Sequence, residues 1–323
     1  MFFRSAKLRY KNGLGKQKGR YQTKIIINED RTMDRKTQFV MIVFSLFVML
    51  WQQFCHIVFV TLRRLNQKDS IMKKYLFMAF ALLFAMAPSV AQNRASQVIA
   101  HRGYWKTEGS AQNSLTSLRK AHEIGVYGSE FDVHITRDGK LVVHHDDDIQ
   151  GVNIEDADYS EIKNKRLDNG EKLPTLDAYL KVGKKLKGTQ LILEIKKHKT
   201  EAIEDRCLEA VLKMVKKMGM ERQVEYISFS KHVCDQLVKL APGAKISYLN
   251  GELSPMEAKQ AGYTGIDYKD KVFDKHPEWI VEAKRLGLVT NVWTVNKKEE
   301  IKHFFDEGVD FVTTNEPVEA KTL

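Results

Sequence analysis

VIAHRG at 98–103, GSEFDV at 128–133 and LVVHHD at 141–146 are three short β-type runs, and each carries ionisable side chains at or near its C-terminal end. The pattern puts imidazoles, a guanidinium and carboxylates where strands run out. In a parallel α/β architecture that edge is where chemistry is done. Working outward, apolar runs with strand character recur at 98–101, 128–133, 191–195, 224–228, 245–249, 263–267, 289–294 and 310–313. Helical periodicity fills several intervals, notably 114–124, 176–184, 201–218, 278–286 and 298–307. Eight strands alternating with helices predict a closed (β/α)8 barrel, the alternative being an open doubly wound sheet. The extra run at 141–145 follows ITRDGK, whose Asp138 and Gly139 suit a tight turn, so a small hairpin insertion is expected after the second strand.

The chain has 323 residues and a formal charge of +11, but the charge is uneven. Residues 1–71 hold 14 Lys and Arg against 4 Asp and Glu, whereas 36 basic and 37 acidic residues remain from Gln92 onward. The part expected to fold is therefore near neutral, which removes the basic surface that a nucleic-acid role requires. From Met72 the sequence reads MKKYLFMAFALLFAMAPSVAQ, with Lys73 and Lys74, an apolar core and a small-x-small site at Ser89 to Ala91. That is the pattern of a bacterial secretory signal, so 72–91 is read as a signal peptide and the mature protein as periplasmic or envelope-located. Residues 1–71 are then an over-extended N-terminal region, the alternative being a membrane anchor over 39–62. One domain, 92–323, follows. Its two cysteines, Cys207 and Cys234, lack metal-ligand spacing and are expected to be buried thiols, with a disulfide as the alternative in an oxidising compartment.

Glu130 and Asp132 lie two apart on one strand and share a face, so both can serve one cation. Glu194 on the neighbouring strand adds a third carboxylate and no thiolate, an oxygen-rich set suited to one divalent cation, Ca2+ or Mg2+. His101 and His145 are the acid/base candidates; His144 points to the opposite face and is assigned a structural role. Arg102 offers a planar fork for a phosphate oxygen and Lys196 a point charge beside it, or a salt bridge to Glu194 or Asp132. Trp293 is placed on the pocket wall, with a core role as the alternative, and Tyr104 and Trp105 sit on the first loop.

The ordered set HRG at 101–103, Glu130 and Asp132, Thr136 with Asp138 and Gly139, VVHHD at 142–146, Glu194 with Lys196, and VWTVN at 292–296 resembles the glycerophosphodiester phosphodiesterases. The resemblance covers 97–317. It implies a metal-dependent barrel enzyme, with Glu130, Asp132 and Glu194 as metal ligands and His101 and His145 as a general acid/base pair. It also implies hydrolysis of a small glycerophosphodiester to glycerol 3-phosphate and an alcohol, in related barrels through a cyclic phosphate; no protein or nucleic-acid partner is expected. Which histidine takes which role stays open. A phosphoinositide-phospholipase-like or cyclising reaction on the same barrel, and a non-catalytic head-group-binding envelope protein, are the other two readings. Two positions depart from the family pattern. Gln112 stands where the family has a glutamate, and Asp147 and Asp148 follow the HD pair where an arginine is usual, which argues against a strongly anionic alcohol.

Overall fold

The computed structural model describes residues 94–323. The signal-like stretch at 72–91 and the apolar run at 39–62 lie outside the described residues. Eight parallel strands form the barrel wall: β1 (Val98–Ala100), β2 (Gly128–Ile135), β6 (Gln190–Ile195), β7 (Val224–Ser228), β8 (Ile246–Tyr248), β9 (Gly265–Lys269), β10 (Val289–Trp293) and β11 (Phe311–Thr314). β1 pairs with β11 on one side and β2 on the other, which closes the ring and excludes the open sheet. β3 (Leu141–Val143) folds back antiparallel on β2, as its turn sequence predicts. It leads into a larger insertion of β4 (Asp148–Ile149), β5 (Val152–Asn153) and the short helix α2 (Tyr159–Ile162). That insertion has its own small core of Val142, Ile149, Ile154, Ala157, Ile162 and Leu173.

The helices follow amphipathic stretches and start where the sequence supplies caps. Ser114, Thr175, Thr200, Ser230 and Ser254 each accept a backbone N–H from the first turn of α1 (Leu115–Glu123), α3 (Leu176–Gly183), α4 (Glu201–Met218), α5 (Lys231–Leu240) and α6 (Pro255–Gln260). Each such cap is worth about 1 kcal/mol. The remaining helices are α7 (Asp270–Lys275), α8 (Glu278–Leu286), α9 (Lys298–Glu307) and α10 (Pro317–Ala320). The main core lies between strands and helices, where Phe131 stacks on Tyr179 at 4.3 Å. A separate cluster of Ile99, Ile192, Ile227 and Leu249 has Phe229, Trp293 and Phe311 packed against it.

One strand runs further than its sequence predicts. β9 begins at Gly265, because a side chain there would collide with Ser247 and the Val289 carbonyl, and it continues to Lys269. Asp267 therefore stands inside the barrel and not at the strand's end. Among the described residues no helix is long and apolar enough to cross a membrane.

Cys207 and Cys234 are free and buried, and burial pushes both thiols well above the ordinary range. A thiol reagent at pH 8 should therefore leave both unmodified in the folded protein for hours and label both at once in denaturant; rapid labelling of the native protein would contradict this packing.

Candidate active site

The site is assembled at the C-terminal ends of β1, β2 and β6. Glu130 and Asp132 project from the same face of β2, and Asp132 is in register with Glu194 on β6. Their carboxylate oxygens lie within 4.8 Å of one another and all three residues are buried. Burial, then the neighbouring Asp132 and Glu194, pushes the Glu130 carboxyl well above its usual range. Burial and Asp132 likewise raise Glu194 to about 7. Burial would raise Asp132 as well, but Lys196, His145 and a hydrogen bond from Asn113 hold it down at about 2. Lys196 Nζ sits 3.2 Å from Asp132 Oδ1 and 3.0 Å from Glu194 Oε1, so the salt bridges read from the sequence are both present. Arg102 Nε is 3.8 Å from Asp132 Oδ2. Three buried carboxylates thus face one lysine in contact and one arginine at longer range. That deficit of positive charge, together with an all-oxygen donor set, fits a hard divalent cation. No second group of this kind occurs among the described residues.

The HRG segment turns sharply to reach this triad. Arg102 has φ 55° and Gly103 φ 78°, and a Cβ on Gly103 would lie 2.6 Å from Ser117 Cβ, so only glycine fits. The turn aims the Arg102 N–H at Glu130 Oε2, 2.8 Å away. It also lets the guanidinium donate to Gln112 Oε1. Asn113 and Ser114 are both residue types that cap helices. Ser114 is the cap, whereas Asn113, at φ 60° and 1% exposed, has a different task. Its amide donates to Asp132 Oδ2 at 2.8 Å and its oxygen accepts the Asp132 N–H at 3.1 Å, which fixes that carboxylate from both sides.

Both histidines open onto one cavity of about 110 Å³, shared with Arg102, Glu130, Glu194 and Trp293. His101 Nδ1–H donates to Asn315 Oδ1 at 2.8 Å, leaving Nε2 for the cavity, and Trp105 Nε1 donates to the same oxygen at 3.0 Å. Burial, then Arg102, lowers His101 to about 4, so its imidazole is neutral at ordinary pH. His145 Nδ1 is 2.6 Å from Asp146 Oδ1 on the more open side. His144 turns away, its Nε2 donating to the Asp148 carbonyl at 3.1 Å. Trp293 walls the cavity edge-on to Phe229 and donates to the Asp267 carbonyl at 2.8 Å. Tyr104 packs against the main core.

Asn315, Asn113, His134 and Asp267 are site residues that the sequence reading does not single out. His134 follows Glu130 and Asp132 on the same face of β2, so strand periodicity alone points to it. Its Nε2 lies 3.3 Å from the His145 carbonyl. It borders a second cavity of about 440 Å³ with Glu155, Lys196, Lys197, His198 and Lys199.

Fold and site together define a (β/α)8 barrel with a buried carboxylate triad and two histidines at the C-terminal face of its strands. Residues 101–319 match the Glycerophosphoryl diester phosphodiesterase family. The barrel is similar to the crystal structure of a glycerophosphodiester phosphodiesterase from Parabacteroides distasonis ATCC 8503, at 52% identity and a TM-score of 0.70, over 71% of this chain and 96% of that one. It is 28% identical to the glycerophosphodiester phosphodiesterase of Caldanaerobacter subterraneus subsp. tengcongensis, over 68% of this chain and 94% of the relative. An Oleispira antarctica phosphodiesterase, solved in complex with the product sn-glycerol-3-phosphate, shares the fold at 24% identity and a TM-score of 0.61, over 70% of this chain and 95% of that one. The chain belongs to the glycerophosphoryl diester phosphodiesterase family.

Replacing Asn113 with alanine removes both bonds to Asp132 and should weaken divalent-cation affinity roughly 10- to 100-fold in a calorimetric titration. Unchanged affinity in the folded variant would mean that Asn113 does not orient the triad.

Proposed function

We propose that the protein is an exported, metal-dependent phosphodiesterase that hydrolyses small glycerophosphodiesters to glycerol 3-phosphate and an alcohol. The observation that carries this reading is the shared cavity. Two histidines, each held through one ring nitrogen, open onto the same space as Arg102 and two members of the buried triad, Glu130 and Glu194. A divalent cation bound by Glu130, Asp132 and Glu194 would supply positive charge to the non-bridging phosphate oxygens. Arg102 presents its fork from a strained turn, and Lys196 adds a fixed charge, so the phosphoryl group meets donors already in place.

The hydrogen-bond partners support a division of roles. An amide oxygen orients His101, and burial and then Arg102 keep its imidazole neutral, so His101 Nε2 acts as the base and takes the proton of the attacking hydroxyl. The Asp146 carboxylate orients His145 on the more open side of the cavity, so His145 acts as the acid and delivers a proton to the leaving oxygen. If the attacking group is the neighbouring glycerol hydroxyl, the new P–O bond closes a cyclic phosphate as the alcohol departs. Water then attacks phosphorus as His145 takes its proton, the ring P–O bond to the neighbouring glycerol oxygen breaks as His101 returns the proton to that oxygen, and glycerol 3-phosphate is released with both histidines restored.

Export is supported by the signal-like sequence at 72–91, which ends in a small-x-small site. N-terminal sequencing of the protein recovered from cells should give a start at or near Gln92. Recovery of the 39–62 segment in the mature chain would replace export with anchoring.

Activity is tested by release of glycerol 3-phosphate from glycerophosphocholine and glycerophosphoethanolamine. Chelator should abolish it, Ca2+ or Mg2+ should restore it, and His101→Ala and Glu130→Ala should each lower kcat by roughly 10²- to 10⁴-fold. Accumulation of a stable cyclic phosphate would redirect the reading to a cyclising enzyme. A protein that binds the cation and cleaves neither substrate would sink the reading for these two diesters.

A further inference from the structure

Across the barrel from the triad stands another buried carboxylate, to which the chemistry above gives no role. The ring runs β1, β2, β6, β7, β8, β9, β10, β11, so β9 lies four strands from β2 in either direction and faces it. Asp267 is the central residue of β9, 2% exposed, and in register with Asn291 of β10. Its Oδ1 is buried without a hydrogen-bond partner. So is Oδ1 of Asn291, whose amide also donates to Thr313 Oγ1 at 2.8 Å. Native proteins leave few such atoms unpaired, because a buried acceptor without a donor is costly. Two of them side by side call for a donor from outside the protein.

Asp267 lines the same cavity as His101, His145, Arg102, Glu130 and Glu194. Burial pushes its carboxyl up to about 7, with a hydrogen bond from Asn291 acting the other way. The neighbouring walls are Ile227, Leu249, Phe229 and Trp293, so a molecule crossing from the phosphate side meets apolar surface and then one carboxylate.

Resting on the reading above, we propose that Asp267 is a specificity-determining residue that accepts a hydrogen bond from the free primary hydroxyl of the substrate's glycerol half. The phosphoryl group is held on the β1, β2 and β6 side by Arg102 and Lys196. The secondary hydroxyl lies beside the phosphorus and the histidines, whereas the primary hydroxyl is the polar group farthest from phosphorus along the three-carbon chain. It is therefore the one that reaches the opposite wall, and the intervening carbons match the apolar sides. An ester at that oxygen has no O–H to give and sets acceptor against acceptor. The site then takes deacylated diesters and rejects those that still carry an acyl chain there. The alcohol half lies toward the mouth of the barrel, away from Asp267.

The test compares kcat/KM of the purified protein on sn-glycero-3-phosphocholine and on the analogue in which hydrogen replaces the primary hydroxyl. Both keep the secondary hydroxyl. The wild type should lose roughly 10- to 100-fold on the analogue, the range of a hydrogen bond to a charged group. Asp267→Ala should lose a similar factor on the parent substrate and treat the two alike, and Asp267→Asn should fall between. Each ratio is taken within one variant, so a reduced folded fraction cancels. If Asp267→Ala does not fold, Asp267→Asn alone decides, because it keeps the shape. Discrimination unchanged within twofold in the folded variants would overturn the inference, and so would a wild type that ignores the hydroxyl. A penalty that follows the alcohol when ethanolamine replaces choline would also overturn it. Cleavage of neither substrate by the wild type would overturn the phosphodiesterase reading, and this inference with it.

Discussion

Glu130, Asp132 and Glu194 stand on adjoining strands with their oxygens within 4.8 Å of one another, and burial makes that proximity costly. Much of the irregular structure nearby answers this repulsion. The left-handed turn at Arg102 and Gly103 brings a backbone N–H to Glu130 and a guanidinium toward Asp132. Asn113, also left-handed, grips Asp132 by carboxylate and backbone together. Lys196 lies between Asp132 and Glu194. Even so the positive charge falls short, and both Glu130 and Glu194 are driven toward their neutral forms. A site left in that state by its own side chains is one that a divalent cation would complete, and the strained turn at Arg102 serves the same charge balance.

The parts legible in the sequence are those fixed by strand periodicity. The two-residue spacing of Glu130 and Asp132 gives a shared face, and the one-residue offset of His144 and His145 gives opposite faces. The eight strand positions are read from apolar runs, and the pairing of β1 with both β11 and β2 settles the closure that the runs leave open. What the sequence conceals depends on how the ring closes. Asn315 meets His101 only because β11 pairs with β1, across 214 positions of sequence. Asn113 reads as part of a cap because its left-handed φ is invisible in a string of letters. Asp267 reads as the end of a strand because the steric demand that starts β9 at Gly265 comes from Ser247 and Val289 on the two adjoining strands.

Gln112 shows how a departure from the family pattern becomes intelligible in three dimensions. From sequence alone the change removes a charge near the site. In the structure the amide oxygen accepts from Arg102, so the side chain keeps the orienting bond without neutralising the guanidinium. A glutamate there would compete with the phosphate for the same cation. The amide leaves more of the Arg102 charge available to the substrate, in a site already short of positive charge.

The acidic run after His145 reads differently once it is folded. Asp146 is paired with His145, so its charge is matched to that imidazole at 2.6 Å. Asp148 lies in the insertion beside a cavity that also holds Arg102 and Arg166. On the other flank Lys197 and Lys199 border the wider cavity, and Lys199 is itself paired with Asp156. Both cavities thus carry both signs, Arg166 with Asp168 on one flank and Lys197 with Asp147 on the other, and no single charge dominates. The exclusion of anionic alcohols that the run suggests from sequence loses much of its force. The enclosed side of the cavity is lined instead by Ile227, Leu249, Phe229 and Trp293, beside the buried Asp267 with its unpaired Oδ1.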